Sequence, residues 1–431
     1  MRRFRMWVAG GAVGGALCAA GIPAALVAEE TSIEERLARL EEMASRSGGG
    51  FLSAKGDWFS LGGEVEFEYI DAQFEPAQDS SASDSPFVHI DKWVLYPKVT
   101  LSDDVSMTGE IEFTPTAARV EEWHVTFGGF PWGSWLRVGF DERFSKANGE
   151  FDMANRLTED YPMIGTAWWR DEEYAVTWGG KVSPKDLAWL QSVGWRLTWG
   201  DGLELNERQQ TENDTYEITH DDDQAADTLK EKNEVGAGLV FGFDPIHETY
   251  KFDVAVWSYH SNLNRDEQAR LRAITGYTAI LEPEAAPSNG APLVDETQER
   301  FGIRSTHVYR GVTVTGEYAT AEDGKLDRHG EYLQGAYKFR FDPLWRRYLT
   351  SVEPVVRVER YTVENLPRSF SHAETWDREK TTLAALVGVA HGTMLKIEHY
   401  DNEERTGGDD DVLTPSDPHN DEWMIQLEVK F

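Results

Sequence analysis

Apolar and polar side chains alternate along many short segments of the chain. The last segment shows one apolar face and one mainly polar face: Trp423, Ile425, Leu427, Val429 and Phe431 opposite Met424, Gln426, Glu428 and Lys430. Alternation with a period of two predicts a β-strand whose two sides meet different surroundings. Residues 64–69, 105–113 and 193–199 alternate in the same manner. The chain is therefore predicted to consist mainly of two-faced strands.

About sixteen strands are predicted, and single-chain outer-membrane barrels have an even number. The predicted starts lie near residues 61, 87, 104, 119, 134, 171, 190, 234, 248, 297, 312, 330, 347, 379, 393 and 421. Tight turns such as Asp244-Pro245 and Arg310-Gly311 alternate with long polar stretches. The predicted long stretches lie near residues 72–86, 142–170, 202–233, 261–296, 321–330, 362–378 and 402–420. This rhythm predicts an all-β fold, a transmembrane antiparallel β-barrel over residues 51–431 with a short N-terminal helix.

The amino terminus has the layout of a secretory signal peptide. A basic start precedes an uncharged stretch rich in Ala and Gly, and the small residue Ala28 stands before Glu29. Residues 1–28 are therefore predicted to be a signal peptide, with a permanent helical anchor as the alternative. The single cysteine, Cys18, lies inside this segment. A mature chain without it would contain no disulfide and no thiolate metal site.

A short helix is predicted to follow the signal. Ile33, Leu37, Leu40 and Ala44 repeat in heptad register. Two heptads are too few to be stable alone. Residues 29–50 are therefore predicted to form a periplasmic coiled-coil stub and linker that joins a homotrimer. The alternative is an amphipathic stub that lies on its own barrel.

Composition narrows the class of protein further. The chain has 42 basic and 76 acidic residues, a formal charge of −34, so nucleic acid is excluded as a partner. Its mean hydropathy is low, −0.52. After the first segment it lacks the roughly 20 consecutive apolar residues of a membrane helix. A barrel reconciles polarity with a membrane location, because only alternate residues need to face lipid.

The alternating strand that ends in Phe431 resembles the closing strand of bacterial outer-membrane β-barrels. This resemblance implies recognition by the barrel assembly machinery and contact with outer-membrane lipid and lipopolysaccharide in a Gram-negative bacterium. The heptad stub after a signal is similar to the phosphate-selective porin type. That type has a strongly basic pore, which this acidic chain does not supply as a clear set, so no site residues are transferred from it.

The long stretch after the fifth strand is the candidate for shaping a pore. In 16-stranded porins this loop folds into the barrel, and here it carries both signs of charge, as constrictions do. An ordinary solvated loop is the alternative. The constriction candidates are Glu142, Arg143, Lys146, Glu150, Asp152, Arg156, Glu159 and Asp160.

Charges on the polar faces of the strands sort by position in the chain. If all point inward, an acidic wall faces a basic wall and a transverse field crosses the lumen; water-facing charges without selectivity are the alternative. The acidic candidates are Glu64, Glu66, Glu68, Glu110, Glu112 and Glu122. The basic candidates are Arg137, Arg196, Arg304, Lys338, Arg340 and Arg357.

Catalytic and cofactor motifs are missing from the sequence. No G-x-S-x-G, H-E-x-x-H or C-x-x-C-H occurs. Outer-membrane lipases place Ser and His on a barrel, but His124 has no serine partner in a distinctive context. The acidic runs at residues 221–223 and 409–411 lack the spacing of a calcium loop and are interpreted as solvated surface. The prediction is a protein without enzymatic activity, cofactor or metal.

The predicted function is passive diffusion of small hydrophilic solutes or ions, with a weak preference for cations. The alternative is a barrel that sheathes a periplasmic partner, such as a multihaem cytochrome in an electron conduit.

Overall fold

The computed structural model describes most of the barrel. The described residues are 54–55, 58–72, 87–114, 117–146, 157–159, 161–168, 172–184, 187, 189–202, 233–246, 249–263, 296–324, 326–341, 348–364, 377–390, 392–405 and 421–431. The predicted signal peptide and coiled-coil stub lie outside the described residues, as do both acidic runs.

The described residues form a single large sheet of sixteen long strands and two short ones. Each long strand begins within a few residues of its predicted start. The strands are β1 (Ala54–Lys55), β2 (Phe59–Ala72), β3 (Phe87–Ser102), β4 (Val105–Phe113), β5 (Ala118–Phe130), β6 (Ser134–Glu142), β7 (Glu172–Val182), β8 (Leu190–Gly200), β9 (Glu234–Ile246), β10 (Tyr250–Asn262), β11 (Thr297–Tyr309), β12 (Val312–Asp323), β13 (Leu326–Tyr337), β14 (Phe339–Arg340), β15 (Ser351–Glu364), β16 (Asp377–Ala390), β17 (Thr393–Arg405) and β18 (Glu422–Lys430).

Each long strand pairs antiparallel with the next along the chain, and the last returns to the first. Strand β18 pairs with β2 in a register that runs from Lys430↔Glu64 to Glu422↔Ala72. The sheet is therefore a closed barrel, and the predicted fold class is confirmed. A short helix, α1 (Met163–Trp168), follows β6. Among the described residues, no helix is long and apolar enough to cross a membrane.

The two faces of the strands differ as the sequence predicts. On β18, Trp423 and Leu427 are exposed on the outer side, at 47% and 37%, whereas Gln426 on the inner side is fully buried. Strand β9 alternates in the same way, with Val235 and Leu239 exposed. Apolar side chains cover the outside of the barrel, and polar ones project inward.

One predicted connection is wrong. The polar stretch at residues 321–330 was expected to be a long loop, but β12 ends at Asp323 and β13 begins at Leu326. Two of its polar residues lie on the inner faces of these strands, where the buried carboxylate of Asp323 pairs with Arg328, whereas Glu322 and Asp327 pair across the two strands on the other face. Polarity alone does not separate a loop from a lumen-facing strand.

The C-terminal residue takes part in closing the barrel. The backbone of Phe431 pairs with Gly63 on β2, by N–H···O distances of 2.8 and 3.0 Å. A Cβ atom on Gly63 would lie 2.7 Å from Cζ of the Phe431 ring and 2.5 Å from the carbonyl oxygen of Val94. Only glycine leaves room for the terminal ring at this position.

We therefore expect Gly63→Ala to destabilise the seam between β18 and β2, by about 1–3 kcal/mol, because overpacking displaces the terminal ring. The measurement is the fraction of protein that migrates as a folded band in unheated gels. Gly62→Ala is the matched control, since its Cβ would lie 3.4 Å from the nearest atom, the Phe431 oxygen. Equal folded fractions in the two variants would contradict this account.

Candidate functional site

The chain turns into the lumen directly after β6. Arg143 is fully buried there, and its Nη1 lies 3.1 Å from Glu173 Oε2 and 2.6 Å from Glu234 Oε1. Its guanidinium stands 3.8 Å from the centre of the Tyr259 ring. Burial alone would lower the pKa of Arg143, but Glu173 and Glu234 raise it overall, so the residue stays charged. The chain that enters the lumen after β6 is therefore attached at its start to β7, β9 and β10.

The next residue is held against the wall by shape as well as by a hydrogen bond. The backbone N–H of Phe144 donates to the Tyr259 hydroxyl oxygen at 2.7 Å. Its ring lies over Gly238 on β9, where any Cβ atom would overlap the ring carbons. A glycine in the wall thus provides the recess in which the aromatic ring sits.

Helix α1 repeats this arrangement on another part of the wall. Ile164 lies over Gly330 of β13, again where a Cβ atom would overlap it. Trp168 packs on Tyr361, with ring centres 5.5 Å apart. Together with Phe144, these residues join one buried apolar cluster that includes inner-face residues of β9, β10, β12, β13 and β15.

A second anchor ties the inserted chain to the opposite side of the barrel. The backbone N–H of Glu159 donates to Glu398 Oε1 at 3.0 Å, and Lys396 Nζ donates to Glu159 Oε2 at 2.7 Å. Lys92 on β3 lies 3.7 Å from Glu159 Oε1. We call residues 143–168, of which 143–146, 157–159 and 161–168 are described, the inserted segment. It contacts β7, β9 and β10 and also β3 and β17, so it spans the lumen.

The constriction candidates are placed as follows. Glu142 ends β6, with Oε1 3.8 Å from Lys146 Nζ. Arg143 is buried in the wall, whereas Lys146 and Glu159 keep part of their surface exposed. Glu150, Asp152, Arg156 and Asp160 lie outside the described residues.

The acidic wall candidates gather on the inner faces of β2, β4 and β5. The Tyr96 hydroxyl donates to Glu64 at 2.7 Å, Lys92 lies 3.2 Å from Glu66, and the Gln426 amide donates to Glu68 at 2.5 Å. The remaining three occupy neighbouring strands, where Glu110 stands directly opposite Glu122 and Glu112 opposite Arg119. These six carboxylates share one sector of the wall.

Three of the basic candidates are buried against the inserted segment or against the end of β6 that leads into it. Arg196 donates to the carbonyl oxygen of Glu142 at 2.8 Å, and Arg304 donates to that of Ser145 at 3.1 Å. Arg357 donates to the Thr158 hydroxyl and bonds Glu359 at 2.5 Å. Arg304 and Arg357 hold the inserted segment in place, and Arg196 holds the end of β6 from which it starts.

The other three basic candidates are dispersed. Arg137 pairs with Asp141 at 3.3 Å on the inner face of β6. Lys338 pairs with Glu353 at 3.0 Å, and Arg340 is exposed on β14. The described basic residues therefore do not form one continuous wall opposite the carboxylates.

Sequence reasoning missed a row of buried charges under the inserted segment. Arg300 lies 3.7 Å from Glu234 and 3.6 Å from Asp323, and Arg328 pairs with Asp323 and donates to the Tyr361 hydroxyl at 3.1 Å. The row continues the Arg143 contacts from β9 to β15. In the sequence, these residues are charged positions on the inner faces of consecutive strands. They can be recognised as one row only when the register between the strands is known.

Comparison with known proteins supports the same architecture. The chain matches no protein-family model, and no curated protein sequence matches it. Among solved structures, OprB of Pseudomonas putida at high pH aligns with a TM-score of 0.57 and 10% identity, over 87% of this chain and 94% of OprB. OmpF of Salmonella typhi in complex with daunomycin gives 0.50 and 10%, over 88% of this chain and 100% of OmpF. OmpT of Vibrio cholerae, an outer-membrane protein folded in vitro, gives the same values.

The chain therefore has the fold of a Gram-negative outer-membrane porin, as OprB and OmpF do. At 10% identity the likeness concerns the fold. The resemblance to the phosphate-selective type remains a prediction.

The glycine recess gives a direct test of how the inserted segment is held. The Cys18→Ser substitution removes the native thiol, and Ser145→Cys then places a single thiol next to Phe144. Residue 145 is fully buried, so this thiol should react slowly. We expect Gly238→Val to displace the Phe144 ring and to speed maleimide labelling of residue 145 at least tenfold, because the segment leaves the wall. The matched control is Gly335→Val, whose Cβ would meet no atom within 4 Å. Labelling rates that match in the two variants would contradict the packing role of Gly238.

Proposed function

We propose that this protein is a diffusion channel of the Gram-negative outer membrane for small hydrophilic solutes. The inserted segment carries the proposal. It spans the lumen, packs its apolar side against β9, β10, β12, β13 and β15, and leaves the carboxylate sector of β2, β4 and β5 outside its apolar cluster. A passage narrowed on one side and charged on the other suits selective permeation of hydrated solutes. Neither catalysis nor a cofactor is needed for it.

The same segment argues against the sheath alternative. A periplasmic partner inside the barrel would have to occupy the space that Phe144, Ile164 and Trp168 fill. Their contacts with the wall are buried and include hydrogen bonds, so displacing them would cost free energy. We therefore retain the open channel as the proposed function.

A weak preference for cations is part of the proposal. Glu110, Glu112 and Glu122 lie half-buried on the inner face, whereas Arg304 and Arg357 are buried beneath the inserted segment. Carboxylates near the solute path attract cations more than arginines whose charge is already compensated repel them. Lys92, Lys146 and the other partly exposed cations oppose the effect, which keeps it weak.

Planar bilayer recordings test both parts of the proposal. We expect an ohmic single-channel current, and a reversal potential across a KCl gradient that indicates cation preference. The double variant Glu110→Gln with Glu112→Gln should move this potential toward zero. The preference should also fade at ionic strengths of about 1 M, where the Debye length is about 3 Å.

The matched control is Glu331→Gln, which removes an exposed carboxylate from the outer face of β13. It should leave the reversal potential unchanged. A barrel that folds but passes no current would refute the channel. A clear anion preference would mean that basic residues control the narrowest point, in keeping with the phosphate-selective type.

The homotrimer belongs to the proposal as well, together with contacts to lipopolysaccharide and the assembly machinery. If the heptad residues form an interchain seam, Leu37→Asn should convert a trimer to monomers while each barrel stays folded, because its backbone hydrogen bonds close within one chain. Native mass spectrometry in mild detergent measures this. Arg39→Asn, off the seam, is the control. A wild-type protein that is already monomeric would refute the trimer.

A further inference from the structure

A mixed cluster of histidine and carboxylates lies on the inner wall between β5 and β6. Glu122, His124 and Asp141 each offer one ligand atom, and the three atoms lie within 4.8 Å of one another. The Nδ1 atom of His124 stands 2.8 Å from Glu122 Oε1 and 3.5 Å from Asp141 Oδ1. Two ligands on a tetrahedral zinc ion lie about 3.3 Å apart, given metal–ligand distances near 2.0–2.1 Å.

Strand register produces this cluster. His124 pairs with Gly139 across the two strands, and Trp123 pairs with Phe140, which places Asp141 opposite Glu122. Gly139 has φ of 147°, and a Cβ atom there would lie 2.7 Å from the His124 Cα. Glycine is required here because any side chain would overlap the backbone of β5 at Trp123 and His124 and disturb the pairing that forms the cluster.

Two buried atoms of the cluster lack hydrogen-bond partners. Despite its short distances, Nδ1 of His124 lacks the alignment for a hydrogen bond with either carboxylate, and Oδ2 of Asp141 has no donor. Both residues are more than nine-tenths buried. Buried polar atoms without partners are rare and costly, and a metal ion would satisfy both.

The charged side chains around the cluster are mainly acidic, which favours binding of a divalent cation. Glu110 stands opposite Glu122, and Glu142 follows Asp141 in the chain, so four carboxylates meet here. Arg137 pairs with Asp141 at 3.3 Å, and Lys146 lies 3.8 Å from Glu142. Arg196 adds a third cation, since it donates to the carbonyl oxygen of Glu142 at 2.8 Å, so acidic side chains still outnumber basic ones around the cluster.

We propose that Glu122, His124 and Asp141 form a binding site for one divalent transition-metal cation, such as Zn²⁺. An imidazole nitrogen among the ligands favours zinc over calcium or magnesium, which take oxygen ligands. The partly exposed Glu122 gives the ion a route from the lumen. The site goes beyond the proposed channel activity and does not depend on it.

Zinc binding to the purified full-length barrel tests the site. ZnCl₂ is titrated by calorimetry into EDTA-treated protein in detergent, with heat-modifiable gels to verify that every variant is folded. We expect one tight site per chain. Glu122→Gln and His124→Gln should each weaken its affinity at least tenfold. An excess of CaCl₂ should not displace the zinc.

Two further variants separate a metal site from a structural ion pair. Arg137→Gln should strengthen zinc binding, because it removes the cation that competes for Asp141. His260→Gln should leave binding unchanged, although His260 also stands 3.1 Å from a carboxylate, that of Glu299, on the exposed face.

The proposal is overturned if no tight site exists, if His124→Gln leaves the affinity unchanged, if calcium displaces the zinc, or if His260→Gln abolishes binding. Bilayer currents without zinc report on channel function separately. A failed metal site and a failed channel are therefore distinguishable.

Discussion

Closure of the backbone hydrogen bonds is the constraint on which the structure depends. Inside a hydrocarbon layer an unpaired N–H or C=O group costs several kcal/mol, so a sheet that spans the membrane has to have no free edge. The seam between β18 and β2 meets this requirement, and it is completed by the backbone pair of Gly63 and Phe431. Because the outer face must be apolar where it meets lipid, the buried charges of the strands lie on the inner face, and the interior chemistry follows from that placement.

A closed barrel leaves a space that side chains alone do not fill, and the inserted segment occupies part of it. Its apolar residues need recesses in a wall that is otherwise studded with side chains. Gly238 and Gly330 supply them, which gives these two glycines a packing role that strand propensity alone would not explain. The segment can lie inside the lumen because these two glycines leave recesses in the wall for its apolar side chains.

Much of the fold could be predicted from the sequence, since a period of two and the turn residues mark strands directly. The error at residues 321–330 arose because Asp323, Asp327 and Arg328 have the composition of a loop. Most of the site could not be predicted for a different reason. The pairing of Arg143 with Glu234, or of Asp141 with His124, depends on cross-strand register and on the path of the inserted segment. Neither leaves a local signature in the chain. The expectation of two opposed charged walls placed side chains on the correct strands without showing which ones the inserted segment would cover.

For the arginines of the inner wall, burial beneath the inserted segment decides their role more than their charge does. A buried ion pair adds little net stability compared with apolar packing, because desolvation offsets the Coulomb attraction, but removing one partner is costly. The pairs that Arg143 forms with Glu173 and Glu234 on the wall therefore act mainly by excluding other positions of the inserted segment, which would leave these buried charges unpaired. Arg304 and Arg357 would lose their hydrogen bonds to the segment in such positions. By contrast, Glu110, Glu112 and Glu122 on β4 and β5 stay partly exposed. The same strand pattern thus yields two kinds of interior surface: buried arginines whose charge is compensated and which contact the inserted segment, and a partly exposed acidic sector on β4 and β5.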